Sequence, residues 1–268
     1  MATVAALVSA VLLPGFTGIS AGPAGGRVLR GRYPGTQRPG YVYLPPSFDP
    51  AARYPVVYLL HGMPGSPNEY LEGTQLVQFA DAAVASGSIR PFIAVIPAAG
   101  ADPHYNGEWA GPWERDLVDR VVPWVDSHLP TEATASARVI AGLSAGGFGA
   151  VDIGLRHPSL FGTIESWSGY FEPLHDGPFK DASRTVLAAH DPTQLVPTEA
   201  EVLKRGRTRF FLSTGPAHSR WAPPAVTIEY ARELRAYGIR STLRVYAGHG
   251  GQWSRQVADG LRWAFPAA

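Results

Sequence analysis

Short apolar runs alternate with longer segments of helical periodicity from residue 40 onward. Most of the apolar runs are continuous, which is typical of strands buried on both faces. Strands separated in this way by helices predict a mostly parallel sheet with helices on both faces. The predicted strands are 41–44, 56–60, 92–96, 139–141, 163–167, 210–213 and 243–246. The predicted helices are 68–86, 114–128, 145–156, 225–237 and 253–264.

One long stretch departs from this alternation. Residues 171–207 show little periodicity and contain several Pro, Gly and Asp residues, so we expect an irregular excursion above the sheet. No break in composition indicates a second domain, and a chain of 268 residues with 45% hydrophobic content can bury one large core. We therefore expect a single domain over residues 26–268.

The first 25 residues form an apolar N-terminal segment. No charged side chain precedes Arg27, and the apolar stretch 4–13 is followed by a Pro-Gly pair and small residues. This pattern resembles a signal peptide with a cleavage zone near Ala21 or Ala24. A basic n-region is missing, so the end of a membrane segment is the alternative. We expect an exported or membrane-tethered protein associated with the cell envelope through its N-terminus; a cytoplasmic location is the other reading.

Charge and composition exclude several classes of partner and site. The 23 basic and 22 acidic residues are spread along the chain without a basic block, so we expect no nucleic-acid partner. The absence of cysteine excludes disulfides, thiolate metal sites and a cysteine nucleophile. Motifs for a metal site or a phosphate-cradling loop are also missing. The sequence therefore predicts no metal and no cofactor, and it leaves the oligomeric state open.

The stretch "VIAGLSAGGFGA", residues 139–150, places one serine among glycines between a predicted strand and a predicted helix. Gly142 to Gly146 matches G-x-S-x-G, the pattern of a nucleophile held at a sharp strand-to-helix turn. Neighbours without bulky side chains let such a turn close. Ser144 is therefore the candidate nucleophile.

A serine hydroxyl needs a base, and His249 is the best-placed histidine. It follows the last predicted strand on the Gly-rich loop "GHGGQW", at the carboxyl edge of the sheet that also carries Ser144. His218 is left ambiguous. His61 also follows a strand, but it fits better in a loop that supplies backbone donors. We assign the two donors of an oxyanion hole to the backbone N–H groups of Met63 and Ala145.

Several segments, taken in order, resemble the superfamily of esterase D, feruloyl esterases and secreted mycolyltransferases. They are "YVYLPPSFDPAARYPVVYLLHG", "PFIAVIPAAG", "ERDLVDRVVPWVDSHLP", "ARVIAGLSAGGFGAVDIGLRHPSLFGTIESWSGYF" and "YAGHGGQW". The resemblance covers about residues 26–266. It implies an α/β-hydrolase fold without a large cap domain and a Ser-acid-His triad acting on carboxylic esters.

The triad acid is the point at which this chain departs from the esterase D pattern. Esterase D-like members carry an aspartate shortly after the strand that corresponds to 210–213, and this chain has none there. The mycolyltransferase branch instead takes a glutamate in a P-A-x-x-x-E pattern, which Pro224, Ala225 and Glu229 match. Glu229 is therefore the first candidate acid, Asp191 is the reserve, and a Ser-His dyad is the third option.

The leading hypothesis is a serine carboxylester hydrolase that works through an acyl-enzyme on a small-molecule, lipid or sugar ester. The Glu229 pattern keeps open a mycolyltransferase-like acyltransferase that moves the acyl group to a sugar or lipid hydroxyl. A catalytically silent binding protein on the same fold is the third hypothesis, because fold does not determine function.

Overall fold

A nine-stranded sheet runs through the part of the chain that this computed structural model describes, which comprises residues 13–216, 221–248 and 252–267. The strands are β1 Phe16–Ala21, β2 Arg27–Gly31, β3 Gly40–Leu44, β4 Val56–Leu60, β5 Ile93–Ile96, β6 Arg138–Leu143, β7 Thr163–Trp167, β8 Arg209–Thr214 and β9 Arg240–Val245. Their order is β1-β2-β3-β5-β4-β6-β7-β8-β9. Strands β5, β4 and β6 to β9 are parallel, whereas β1, β2 and β3 run antiparallel to their neighbours.

Helices cover both faces of this sheet. They are α1 Leu76–Ala85, α2 Pro112–Arg115, α3 Val122–His128, α4 Ala145–Arg156, α5 Arg184–Ala189, α6 Pro192–Arg205, α7 Pro224–Ala236 and α8 Gln252–Ala264. One apolar cluster packs the sheet against residues of α3, α4, α6 and α7, and a second packs the other face against α1 and α8. The predicted mostly parallel sheet with helices on both faces is confirmed.

The seven predicted strands are all present, with ends shifted by up to three residues. The central strands β4 and β6 are buried at every position, which explains their continuous apolar sequence. The register of the strand pairs β4–β6 and β6–β7 determines which residues lie next to each other at the carboxyl edge of the sheet. Leu60 at the end of β4 pairs with Gly142, and Leu143 at the end of β6 pairs with Trp167. The loops that follow β4, β6 and β7 therefore start side by side.

The folded part of the chain extends into the predicted N-terminal segment. Leu13 is buried, and the ring of Phe16 at the start of β1 stacks on Trp124 with centroids 5.2 Å apart. The buried carboxylate of Asp81 accepts hydrogen bonds from the N–H groups of Ala24 and Gly26 at 2.9 and 3.0 Å. Residues 13–25 thus pack on the domain that the sequence analysis started at residue 26.

The remaining part of the predicted leader or membrane segment, residues 1–12, lies outside the described residues. Within the described ranges, none of the helices has the length and apolar character needed to cross a membrane.

The segment 171–207 is more regular than the sequence analysis expected. It contains α5 and the 14-residue α6, which packs against α4. Asp191 caps α6, since its side chain accepts hydrogen bonds from the N–H groups of Thr193 and Gln194, and Pro192 occupies the first helical position. The expectation of an irregular excursion is therefore wrong for 184–205. Helix α6 was not predicted because it contains Pro197 and its apolar periodicity is weak.

Candidate active site

Ser144 lies at a sharp turn between β6 and α4. Its backbone angles are φ 52° and ψ −116°, a conformation that a residue with a side chain rarely adopts. Its N–H donates to the carbonyl of Trp167 at 3.0 Å, which ties the turn to the neighbouring strand. The side chain is half-buried. The structure therefore gives Ser144 the strained strand-to-helix position that the G-x-S-x-G motif predicts.

The glycines of the motif have a steric cause. A Cβ atom on Gly142 would lie 2.2 Å from the carbonyl oxygen of Gly146, and a Cβ on Gly146 would lie 1.9 Å from the carbonyl oxygen of Leu60. Real Cβ atoms do not approach backbone atoms this closely. The turn can close against β4 only when both positions are glycine.

The loop that follows β4, residues 61–65 (the His61 loop), lies against the serine turn. A Cβ on Gly62 would be 3.4 Å from Ser144 Cβ and 3.3 Å from the carbonyl oxygen of Leu143. Met63 packs against the apolar cluster that contains Ala145. Ala145 is the first residue of α4, where a backbone N–H has no acceptor within the helix. The two predicted donor residues are thus neighbours in space.

His61 has a structural position within this loop. It is 1% exposed; its Nε2 accepts a hydrogen bond from Ala99 N–H at 3.0 Å, and its Nδ1 lies 2.8 Å from Gly62 O. An imidazole that accepts at Nε2 carries its proton at Nδ1, so Nδ1 donates to Gly62 O. Burial lowers the pKa of His61 to about 4. The ring is therefore neutral and supports the loop through these two hydrogen bonds.

Glu69 also fixes the His61 loop, and the sequence analysis did not identify it. Its Oε2 accepts the N–H of Gly62 at 3.0 Å, and it would lie 3.7 Å from a Cβ on that glycine. Burial raises the pKa of Glu69. Two further bonds hold the chain where β4 passes into the loop, since Tyr70 Oη donates to Leu60 O at 2.7 Å and Trp109 Nε1 donates to His61 O at 3.0 Å. The sequence signal, an acid nine residues after the end of a strand, is too common to be specific.

A cavity of about 460 Å³ is lined by residues that follow β7 and by residues of α6, of α7 and of the segment before α7. Tyr170 and Leu174 line it and also belong to the apolar cluster of Ala145, so this cluster connects the turn with the cavity wall. Its described lining combines aromatic rings with three glutamates. The lining residues are Tyr170, Phe171, Glu172, Leu174, Thr193, Trp221, Pro223, Val226, Glu229, Tyr230 and Glu233.

The other residues predicted for the triad differ in their location and in their contacts. Glu229 is exposed on α7 and lines the cavity. His249 falls between the end of β9 at Val245 and the start of α8 at Gln252, and it lies outside the described residues, as does His218. The Asp191 carboxylate is engaged by four hydrogen bonds from Thr193 and Gln194, which is the structural role of a helix cap.

No group of three or more His, Cys, Asp or Glu residues within the described ranges is arranged to hold a metal ion.

A sequence model of a known protein family matches residues 31–263 of the chain, which is most of its length. The chain belongs to the Esterase family. The family match and the likeness to solved esterases establish the α/β-hydrolase fold, and the described part of this esterase-family chain has no large cap.

Individual relatives point in the same direction. An endo-1,4-β-xylanase/feruloyl esterase of Xylanibacter ruminicola is 33% identical over 138 residues, 48% of this chain and 19% of that protein. The esterase Rv1288 of Mycobacterium tuberculosis is 31% identical over 134 residues, 48% of this chain and 28% of that protein. The Esterase-family chain thus spans less than a third of either curated relative. A solved ferulic acid esterase has a TM-score of 0.76 and 25% identity, with 89% of this chain and 97% of that chain covered.

Proposed function

We propose that this chain is a serine carboxylester hydrolase that works through an acyl-enzyme. The observation that carries the proposal is the strained turn at Ser144, placed between the helix start at Ala145 and the His61 loop. Such a turn exposes a hydroxyl beside two sets of backbone donors, and a structural serine has no need of it. Family membership supports the same chemistry.

The reaction then runs in two halves. Ser144 Oγ attacks the ester carbonyl carbon while His249 takes its proton, and the N–H groups of Met63 and Ala145 stabilise the oxyanion. The intermediate collapses, and His249 returns the proton to the leaving alcohol. Water repeats the sequence on the acyl-enzyme and releases the acid. Glu229 holds His249 in the tautomer that presents Nε2 to the serine.

The substrate class follows from the cavity and the relatives. Tyr170, Phe171 and Trp221 offer aromatic surface to an acyl group, and the relatives named above include feruloyl and ferulic acid esterases. Aromatic rings favour stacking with a planar aryl acid. We therefore propose hydroxycinnamoyl esters, with methyl ferulate as the first test substrate.

The test compares wild type with Ser144→Ala on p-nitrophenyl acetate and methyl ferulate, and it adds labelling by a fluorophosphonate probe. We expect a burst, turnover and labelling in wild type and none of the three in the variant. Equal turnover of both proteins would refute the nucleophile assignment. Folded wild type that neither labels nor turns over would favour the silent binding protein.

The acid is tested separately, with Glu233→Gln as a matched control because Glu233 lies one helical turn from Glu229 and lines the same cavity. We expect Glu229→Gln to lower kcat at least a hundredfold, since a triad without its acid loses about 10⁴ in kcat. The control keeps kcat within a few-fold. Similar activity of the two variants would remove Glu229 from the triad.

Acyl transfer is the second candidate, because Pro224, Ala225 and Glu229 place a glutamate of the mycolyltransferase pattern at the cavity. An added polyol acceptor distinguishes the two reactions. Hydrolysis products that stay constant at high acceptor concentration would exclude transfer.

A further inference from the structure

Two loops meet beside the cavity and bring three oxygen-bearing side chains together. Asn106 and Glu108 come from the loop that precedes α2, and Asp176 comes from the loop that follows β7. The Asp176 carboxyl lies within hydrogen-bonding reach of the Glu108 carboxyl. The amide oxygen of Asn106 faces the same loop after β7, since a Cβ on Gly177, the residue after Asp176, would lie 2.6 Å from it.

These side chains present more acceptors than their surroundings satisfy. Glu108 is 1% exposed, and its Oε2 accepts the hydroxyl of Tyr170. Its Oε1 is buried and finds no donor within the described residues, and the same holds for Asp176 Oδ1 and Asn106 Oδ1. Buried polar atoms are nearly always paired, so three unpaired oxygens on two adjoining loops require an explanation.

Charge points to the same conclusion. In the described ranges, neither Glu108 nor Asp176 forms an ion pair with Lys, Arg or His. Two facing carboxylates repel each other, and the burial of Glu108 makes this repulsion more costly because solvent does not screen it. A bound cation or a shared proton relieves this repulsion.

We propose that Glu108, Asp176 and Asn106 bind a Ca²⁺ ion. The donor set consists of carboxylate and amide oxygens, which are the ligands of hard cations, and it lacks the imidazole and thiolate groups that zinc or copper prefers. Calcium accepts six to eight oxygens in flexible geometry, whereas Mg²⁺ demands a near-ideal octahedron. Three oxygens from two loops suit the more adaptable ion, with solvent or backbone oxygens completing its shell.

The ion would stabilise the wall of the active site. Glu108 and the adjacent Trp109 have φ values of 44° and 53°, so this loop is strained and needs contacts that hold it. Trp109 donates to the His61 loop, and Tyr170 lines the cavity and donates to Glu108. Calcium at this point would fasten the loop before α2 to the loop after β7.

The experiment measures thermal unfolding of the EDTA-treated, dialysed protein with and without about 1 mM CaCl₂. Binding to the folded state alone raises Tm, and we expect a rise on the order of 5 °C for a chain of this size. Asp176→Asn should abolish the rise. Asp181→Asn is the matched control, because Asp181 is exposed on the same loop, and it should keep the full rise.

A second measurement uses Tb³⁺ as a luminescent substitute for Ca²⁺, excited through Tyr and Trp. Tyr170 contacts Glu108 directly, so we expect sensitised emission in wild type and Asp181→Asn, its displacement by CaCl₂, and its loss in Asp176→Asn and Glu108→Gln. The Tb³⁺ result does not depend on Glu108→Gln being stable, because Asp176→Asn alone decides it.

An unchanged Tm together with no emission would overturn the proposal. A Ca²⁺ response retained in Asp176→Asn would overturn it as well. If stability instead falls as pH rises through about 7, regardless of calcium, a shared proton explains the pair and the cation site is refuted.

Discussion

Acidification should destabilise this protein through His61, and the structure supplies the magnitude. The imidazole is buried and neutral, with a pKa lowered to about 4 from an ordinary value of 6.5. The unfolded chain binds a proton at this residue below about pH 6.5, whereas the folded chain does not until about pH 4. The stability is therefore complete above pH 6.5 and is lost as the pH falls toward 4. This difference corresponds to about 3 kcal/mol of unfolding free energy.

Other groups titrate in the same interval, so the prediction concerns a difference between two proteins. His61→Gln removes the titration and retains an oxygen that can accept the N–H of Ala99. We expect this variant to be less stable than wild type at about pH 7, and we expect that deficit to shrink by about 3 kcal/mol by about pH 4. Urea unfolding followed by tryptophan fluorescence at several pH values measures both curves.

The control is His175→Gln, since His175 is exposed on a loop. Its stability at about pH 7 should be close to that of wild type, as is usual for a surface substitution. A deficit of His61→Gln that is independent of pH would mean that the imidazole is not held neutral by burial, and the account of the His61 loop would be refuted.

Two further predictions concern Glu165, which is buried, and Glu69, which is half-buried. Burial raises the pKa of Glu165 to about 8, so the stability that this carboxyl contributes is complete below the ordinary pKa range of a glutamate and is lost as the pH rises toward 8. Glu165→Gln should therefore gain stability relative to wild type between about pH 5 and pH 8. Urea unfolding that shows no such gain would contradict this prediction. Glu69→Ala should lower kcat about tenfold on p-nitrophenyl acetate with little change in KM, because Gly62 N–H loses its acceptor. Glu69→Gln should retain most activity, and Glu72→Ala, exposed on the same turn, should have no effect; a loss confined to KM would show that Glu69 contacts substrate instead.

The strands that could be predicted from the sequence are those that are buried on both faces of the sheet. Strands covered on both faces must be continuously apolar, so β4, β5 and β6 could be recognised without their neighbours. Strand β1 could not, because five of its six residues are exposed and only Phe16 enters the core. Its place in the sheet is determined by pairing with β2, which is a contact that local sequence does not encode.

The predicted helices 145–156, 225–237 and 253–264 are present with ends shifted by at most one residue, but two other helical segments were predicted incorrectly. The predicted helix 68–86 is divided into a π-helical turn, Glu69–Gly73, and α1, because Gln75 adopts a left-handed conformation with φ 56°. A helical apolar period continues across such a break, so periodicity alone does not reveal it. The cap at Asp191 followed by Pro192 was a legible start signal for α6, and greater weight on it would have found that helix.

Some residues of the candidate site could also be predicted from the sequence, and others could not. A motif with a steric reason at each position, such as the glycines around Ser144, can be read directly from sequence. Glu69 and Glu108 could not be found, since a carboxylate that supports a loop looks the same in sequence as one in solvent. Only the fold reveals that the first meets Gly62 and the second meets Tyr170.

Helix α4 is enclosed from Ala145 through Leu155, with every one of these residues buried. A helix packed this tightly accepts neither larger side chains nor a new tilt without loss of stability. The loop around Glu172 and His175 is open to solvent by comparison. We therefore expect the protein to tolerate substitutions in that exposed loop far better than substitutions in α4, which holds the turn at Ser144 in place.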